Sequence, residues 1–344
     1  MMTSNDIAAM LGDEAFALVR EPGDEYIELI LQRDATLHTD PSYRTEGFYW
    51  VPFDTERHPV TVIPDRASHS IKFRLSDIQI HSRPAELQTL GGTTAEAHRE
   101  RVEQIRRQIA EGKVRKVVLA GYEDLEADWD PVATFLYLTR QYPDSYVFYV
   151  SHPEGGSMLG ATPELFFEYD NNFGLTYSLA GTKFHERDWT AKEKDEQKIV
   201  TDYIIKKLLA WQLVLSQDGP YDHRQGHLTH LRTDIRFILN DPAKDIPRIM
   251  RGLHPTPAVA GMPKKEAVDI IRRIEDFDRG YYTGFLGRKG AERGTFYVNL
   301  RSLAFDGNRI RLMAGGGITL DSDPQAEWNE IRQKMEIMRK ALRQ

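Results

Sequence analysis

The sequence predicts a mixed α+β fold, and three features carry that reading. Residues 296–334 (FYVNLRSLAFDGNRIRLMAGGGITLDSDPQAEWNEIRQK) read as two strands about an Asp306-Gly307-Asn308 hairpin turn, then a glycine-rich turn and a helix. Short apolar runs bounded by turn residues recur along the chain, the mark of half-buried or buried strands. Two more segments, 93–110 and 190–216, set apolar residues at helical spacing behind a threonine cap.

Taken in order, residues 15–20 and 26–32 form strands about a Pro-Gly turn, and 48–53 and 71–75 form two more. No catalytic pattern falls in this part. In helix 93–110, Thr94 is the cap, Ala97, Val102, Ile105 and Ile109 form the apolar stripe, and Gly112 ends it. Strand 114–120 puts Lys116 on the face of Val114 and Val118. Burial there disfavours the ammonium, and a neutral lysine can take a proton. The same lysine also suits an edge strand guarded against aggregation.

Strand 146–151 is followed by strand 158–169, in which Pro163 marks an edge or irregular start. Glu164 stands beside Leu165, Phe166 and Phe167, surroundings that raise a carboxyl pKa and make an acid, unless the edge is solvated. Segment 177–182 ends in a small-residue turn, Gly181-Thr182, whose backbone N–H groups suit an anion. Helix 190–216 opens with a Thr190-x-x-Glu193 capping box and carries Glu196 on the same face, with Ile199, Tyr203, Trp211 and Leu215 as its buried stripe.

Residues 230–239 form a strand, and 253–261 a proline-stiffened loop whose polar groups are His254 and Thr256. Helix 264–274 leads through 278–284 into the strand ending at Gly287. In the last unit Arg301 is an anion clamp, Gly315 to Gly317 bare the backbone, and Asp323-Pro324 opens a helix with Glu327, Glu330 and Lys334 on one face. Two helices thus each offer a carboxylate pair, Glu193/Glu196 and Glu327/Glu330, able to share a hard cation such as Mg²⁺. Each pair by itself also reads as an ordinary acidic surface.

The chain has 344 residues, 40% of them hydrophobic and 28% charged, so it is long and apolar enough for a sizeable core. With no cysteine it has no disulfide, thiolate metal site or cysteine nucleophile. A net charge of −7 without a basic block argues against a nucleic-acid partner. The N-terminus is too acidic and broken for a signal peptide, and no apolar run approaches membrane-spanning length, so the expected location is cytoplasmic with no membrane partner.

KVVLA, GATPELFFE, SLAGT, LHPTPAVAG, FDRGYYTGFLG, AGGGI and DSDPQAEW follow one another between Lys116 and Trp328. In these motifs the chain resembles the chorismate-utilising enzymes, among them isochorismate, salicylate, anthranilate and aminodeoxychorismate synthases. The resemblance implies two packed antiparallel β-sheets with outer helices. Residues 1–344 would form a single chorismate-binding domain, with 1–90 as the less defined N-terminal part of the same fold.

It implies roles as well: Lys116 as the base that activates water and Glu164 as the general acid. Glu196 and Glu330 would be Mg²⁺ ligands, with Glu193 and Glu327 in support. Gly181, Thr182, His254, Tyr282, Arg301, Gly316 and Lys334 would be substrate contacts, His254 near the ring carboxylate.

Within the family, aminodeoxychorismate synthases carry a nucleophilic lysine where this chain has Ala180, and ammonia-using members lack the lysine at position 116. Lys116 therefore favours water as nucleophile. The implied activity is that of an isochorismate synthase, a Mg²⁺-dependent isomerase (hydroxymutase) that adds water at C2 of chorismate and expels the C4 hydroxyl. No glutamine amidotransferase subunit is expected. A salicylate synthase, which goes on to eliminate pyruvate, is the alternative that these motifs do not separate, and the product suits menaquinone or siderophore biosynthesis equally. A non-catalytic relative would have lost the base, acid or metal carboxylates, and all are present. Two positions depart from the family pattern: Gly121, where arginine is common, and Gln197, where histidine is common.

Overall fold

A computed structural model describes residues 2–81, 84–183, 187–225 and 228–343, apart from the side chains of Thr182, Gln225 and Leu228. Among these residues two large antiparallel sheets dominate. One has ten strands, running from Gly261–Met262 through Lys116–Glu126, Arg309–Ile318, Ser302–Asp306, Gly156–Thr162, Tyr146–His152, Phe16–Arg20 and Tyr26–Gln32 to Ser68–Arg74, with Gln88–Gly92 alongside Lys116–Glu126. The other has eight, in the order Val214–Gln225, Leu228–Ile238, Phe173–Lys183, Leu165–Asp170, Arg293–Val298, Phe285–Lys289, Gly47–Val51 and Thr61–Pro64. The N-terminal strands pair within both sheets.

Alternation along the strands sends side chains to both faces of each sheet, and both faces are buried. A central core, with Phe148, Trp50, Leu165 and Tyr297, lies between the sheets. Outer cores seat helices on the far faces: Pro131–Gln141 and Pro324–Leu342 on the ten-stranded sheet, Ala191–Ala210 and Pro242–Leu253 on the eight-stranded one. The result is the expected α+β architecture of two packed antiparallel sheets with outer helices.

Local expectations held where capping chemistry was explicit. Thr94 caps Ala95–Ala110 and Gly112 follows it at φ +74°. Asp323 accepts from Ala326 N–H at 2.7 Å to start Pro324–Leu342.

Four expectations need correction. Helix 190–216 stops at Ala210, because Gln212 turns left-handed at φ +60° while Leu213 N–H donates to Leu208 and Gln212 N–H to Leu209. This is a Schellman stop with glutamine in the usual glycine place, and it turns Leu215 into a residue of the edge strand Val214–Gln225. Strand 158–169 is two strands, Gly156–Thr162 and Leu165–Asp170, in different sheets. Val298 and Ser302 are likewise split between sheets at Asn299–Leu300–Arg301. Gly181 is not in a turn but at a β-bulge (φ +74°) inside Phe173–Lys183. Helices Pro131–Gln141 and Pro242–Leu253 went unread, although each opens with an Asp-Pro start signal.

Candidate active site

Two of the chain's crossings between the sheets, at 162–165 and 298–302, lie side by side. Val298 N–H donates to the Glu164 carbonyl at 2.8 Å, and Ala161 N–H to the Arg301 carbonyl at 3.1 Å. The Thr162 hydroxyl donates to the Val298 carbonyl at 2.6 Å. Tyr177 braces the first crossing, its hydroxyl donating to the Pro163 carbonyl and accepting from Leu165 N–H, both at 2.8 Å. Where strands leave one sheet for the other a cleft opens, and Glu164 and Arg301 line it with Tyr282, Glu196, Glu330 and Lys334.

Glu164 is 7% exposed. Burial pushes its carboxyl up to about 7, against the pull of Lys116, Lys334 and Arg301. Lys116 is fully buried, as expected, but on an interior strand rather than an edge, since Gly261–Met262 pairs along its outer side. Its surroundings are not purely apolar: Nζ lies 2.8 Å from Glu196 Oε1. The approach is close enough for an ion pair, although it is not aligned as a hydrogen bond.

That pair fits because residue 317 is glycine. A Cβ there would stand 2.2 Å from Glu196 Oε1 and 2.8 Å from Lys116 Cε. Gly316 faces the other way, toward the last helix. A Cβ on it would stand 3.1 Å from Glu327 Oε2 and 3.9 Å from Glu330 Oε1, so it shapes the carboxylate pair rather than the cleft wall.

Each of these glutamates carries a lysine. Lys334 Nζ donates to Glu330 Oε1 at 2.7 Å and to the Gly315 carbonyl at 3.0 Å. Burial works against the charge of Glu330, yet Lys334 outweighs it and holds the carboxyl below its ordinary value. Lys192, a residue to which no sequence motif assigns a role, is ion-paired with Glu327. Burial raises the pKa of Glu327, which is 2% exposed and whose Oε2 has no aligned donor. Glu193 lines the cleft but is engaged elsewhere, in the capping box with Thr190 and in an ion pair with Arg187.

Arg301 holds a left-handed backbone, φ +48°, unusual for a non-glycine residue and typical of positions over-determined by their surroundings. Its guanidinium lies 3.3 Å from His230 Nε2. A guanidinium only donates, so Nε2 accepts and Nδ1–H points to the Gly181 carbonyl, 3.1 Å away. His230 is therefore neutral; burial, and then the Arg301 charge, push its pKa down to about 3. Burial also lowers Arg301, to about 10, with Tyr142 and Glu164 acting the other way, so it stays cationic at neutral pH.

His254 is not in this cleft. Its Nε2–H donates to the Pro52 carbonyl at 2.9 Å, and its ring packs edge-on to Phe166 and Phe285. The histidine at the clamp is His230. The signal for it lay in the alternation of strand 230–239, which was read only as a strand. The backbone of Thr182 pairs with His230, while its side chain lies outside the described residues. The two departures from the family pattern have local reasons. A side chain at Gly121 would meet Ile331 Cδ1 at 3.0 Å, and Gln197 is buried, donating to Ser178 and Thr233 behind the cleft.

Among the described residues no three His, Cys, Asp or Glu side chains are grouped to hold a metal ion. The donor set nevertheless suits a hard cation. It is all carboxylate, and Glu327 Oε2 and Glu330 Oε1 both lie within 4 Å of one point, the former with unused acceptor capacity. Among the described residues no helix is long and apolar enough to cross a membrane.

A family model described as chorismate binding enzyme matches residues 53–343. The salicylate biosynthesis isochorismate synthase of Pseudomonas aeruginosa is 35% identical over 249 residues, 68% of this chain and 52% of that protein. Isochorismate synthase MenF of Escherichia coli is 34% identical over 248 residues, 68% and 57% of the two chains. The chain thus spans about half the length of the curated relatives it matches. The crystal structure described as a putative 2,3-dihydroxybenzoate-specific isochorismate synthase, DhbC, from Bacillus anthracis superposes with a TM-score of 0.83 over 98% of this chain and 99% of that one; at 22% identity this shows the shared fold.

Proposed function

The chain belongs to the chorismate-binding enzyme family, and from that premise we propose that it is an isochorismate synthase. The observation that carries the reading is a cleft lined by a buried carboxylic acid held near neutrality, Glu164, and a fixed guanidinium, Arg301, with a buried lysine, Lys116, set against the cleft-lining Glu196. One group can give a proton and another take one, as a simultaneous addition and expulsion requires.

In this reading Arg301, oriented by His230, binds a carboxylate of chorismate, and Tyr282 and the Gly315 backbone wall the ring. Water bonds to C2 as its proton passes to Lys116 Nζ. The ring double bond shifts, the C4–O bond breaks, and the hydroxyl leaves as water with the proton of Glu164. The proton gained by Lys116 then returns to Glu164, which restores both groups for the next turnover. Glu196 and Glu330, with Glu327 in support, would hold Mg²⁺. When bound it would supply positive charge against a substrate carboxylate. Glu193 contributes by capping its helix.

The test is product identification from chorismate and Mg²⁺ in H₂¹⁸O, with and without ammonium sulfate. One ring ¹⁸O, unaffected by ammonium and without pyruvate release, is expected. Lys116→Ala should abolish it. An aminated product that needs ammonium, or stoichiometric pyruvate, would overturn the assignment. Activity of the isolated chain without glutamine would fit a reaction that needs no amidotransferase subunit.

A further inference from the structure

The carboxylates proposed for the cation are each paired with a lysine of the same chain: Glu196 with Lys116, Glu330 with Lys334 and Glu327 with Lys192. Lys116 has the proposed task of proton acceptor, and Lys334 is also tied to the Gly315 carbonyl. Among the described residues Lys192 bonds to Glu327, and the proposed reaction gives it no proton to carry. It lies in the second turn-forming position of its helix, lines the cleft, and is 25% exposed along its side chain, while its partner Glu327 is 2% exposed. Burial works against its charge, yet Glu327, and then Glu196 and Glu330, outweigh this and raise its pKa. Its ammonium is bonded to Glu327 and also feels the charges of Glu196 and Glu330. The second oxygen of Glu327, buried and without an aligned donor, faces the Gly316 backbone.

We propose that Lys192 is a resident counter-ion of the cation site, occupying Glu327 when no divalent cation is bound and displaced from it when one enters. The inference rests on the reading of these glutamates as a cation site. A buried carboxylate without its counter-charge is costly, so the ion pair keeps the metal-free cleft folded. An entering dication and an ammonium cannot both stay at full strength against the same carboxylate, since the like charges repel. Lys192 therefore sets a threshold for cation binding. Once freed, it is a mobile positive charge in the cleft that receives an anionic substrate. It is a positioning residue.

The experiment needs neither substrate nor turnover. Calorimetric titration of the full chain with Mg²⁺ first establishes binding. Reductive methylation followed by peptide mass spectrometry then measures the accessibility of Lys192 with and without saturating Mg²⁺. Labelling of Lys192 should rise severalfold while surface lysines such as Lys198 stay unchanged. In a second arm Lys192→Met should bind Mg²⁺ on the order of tenfold more tightly, the loss of about one competing ion pair. Lys192→Arg should behave as the wild type does.

Unchanged or reduced labelling of Lys192 at saturating Mg²⁺ would overturn the proposal, whatever the affinity of the methionine variant. If that variant does not fold, the labelling arm decides alone. Absence of Mg²⁺ binding in the titration would remove the cation site itself and the proposal with it. The isochorismate assignment fails separately, through the product analysis of the wild-type chain.

Discussion

Replacing Gly317 with alanine tests the site at its tightest point. The added Cβ would lie 2.2 Å from Glu196 Oε1, 2.8 Å from Lys116 Cε and 2.9 Å from Glu196 Cδ. Ordinary contact distances require the carboxylate to retreat by about 1 Å and the lysine stem by several tenths. The carboxylate is the far end of a flexible side chain, so the backbone can stay as it is and the fold should persist, with stability changed by about 1–2 kcal/mol. Activity should not persist, because the proposed base and a proposed cation ligand move together. A misplacement of about 1 Å costs on the order of a hundredfold, or about 2.7 kcal/mol of transition-state stabilisation. The assay is the kcat/KM for isochorismate formation, set beside thermal unfolding of the same preparation. Gly316→Ala, whose Cβ would come no nearer than 3.1 Å to any group (Glu327 Oε2), should lose less activity. A folded Gly317→Ala protein with kcat/KM within about threefold of wild type would refute the reasoning that the Lys116–Glu196 contact organises the chemistry.

Other expectations follow from the same geometry. The Glu164 carboxyl is raised from 4.5 to about 7, so the stability it contributes is fully present below 4.5 and is lost as pH rises through 7. Glu164→Gln should therefore gain on wild type above pH 7, by up to about 3 kcal/mol, and match it near pH 4 in denaturant titrations. If Glu164 is the acid, wild-type kcat should fall above about pH 7, which a pH–rate profile reads directly. His230→Gln should raise KM for chorismate with the fold intact, whereas His254→Gln should lower the melting temperature and leave KM unchanged. Arg301→Lys, which loses the planar fork, should raise KM by about ten- to a hundredfold in steady-state kinetics. Asp323→Ala removes the cap of the helix that bears Glu327, Glu330 and Lys334, and should cost about 1 kcal/mol in urea unfolding.

The local pieces were legible in the residues alone. Thr94, Gly112 and Asp323 set helix ends through hydrogen bonds within a turn of chain and Pro324 through its fixed φ, and the Asp306–Asn308 hairpin and the strand at Tyr26–Gln32 follow from alternation and turn chemistry. Such signals are short-range, so they are legible one residue at a time. They fail where a local rule is met by an unusual residue, as at Gln212, whose left-handed backbone ends a helix that periodicity alone would carry on.

The carboxylates and lysines were legible as types, but their partners were not. Long-range packing makes Thr162–Leu165 and Val298–Ser302 crossings between two sheets and not strand interiors, because sheet membership depends on pairing with strands far away in sequence. The same packing decided between two histidines that look alike in sequence. His254 went to the apolar core against Phe166 and Phe285, and His230 to Arg301. It also brought Lys116 to Glu196 and Lys192 to Glu327, although they lie on different elements. Charge type belongs to a residue, whereas burial and partner belong to the fold, and the proposed chemistry depends on both.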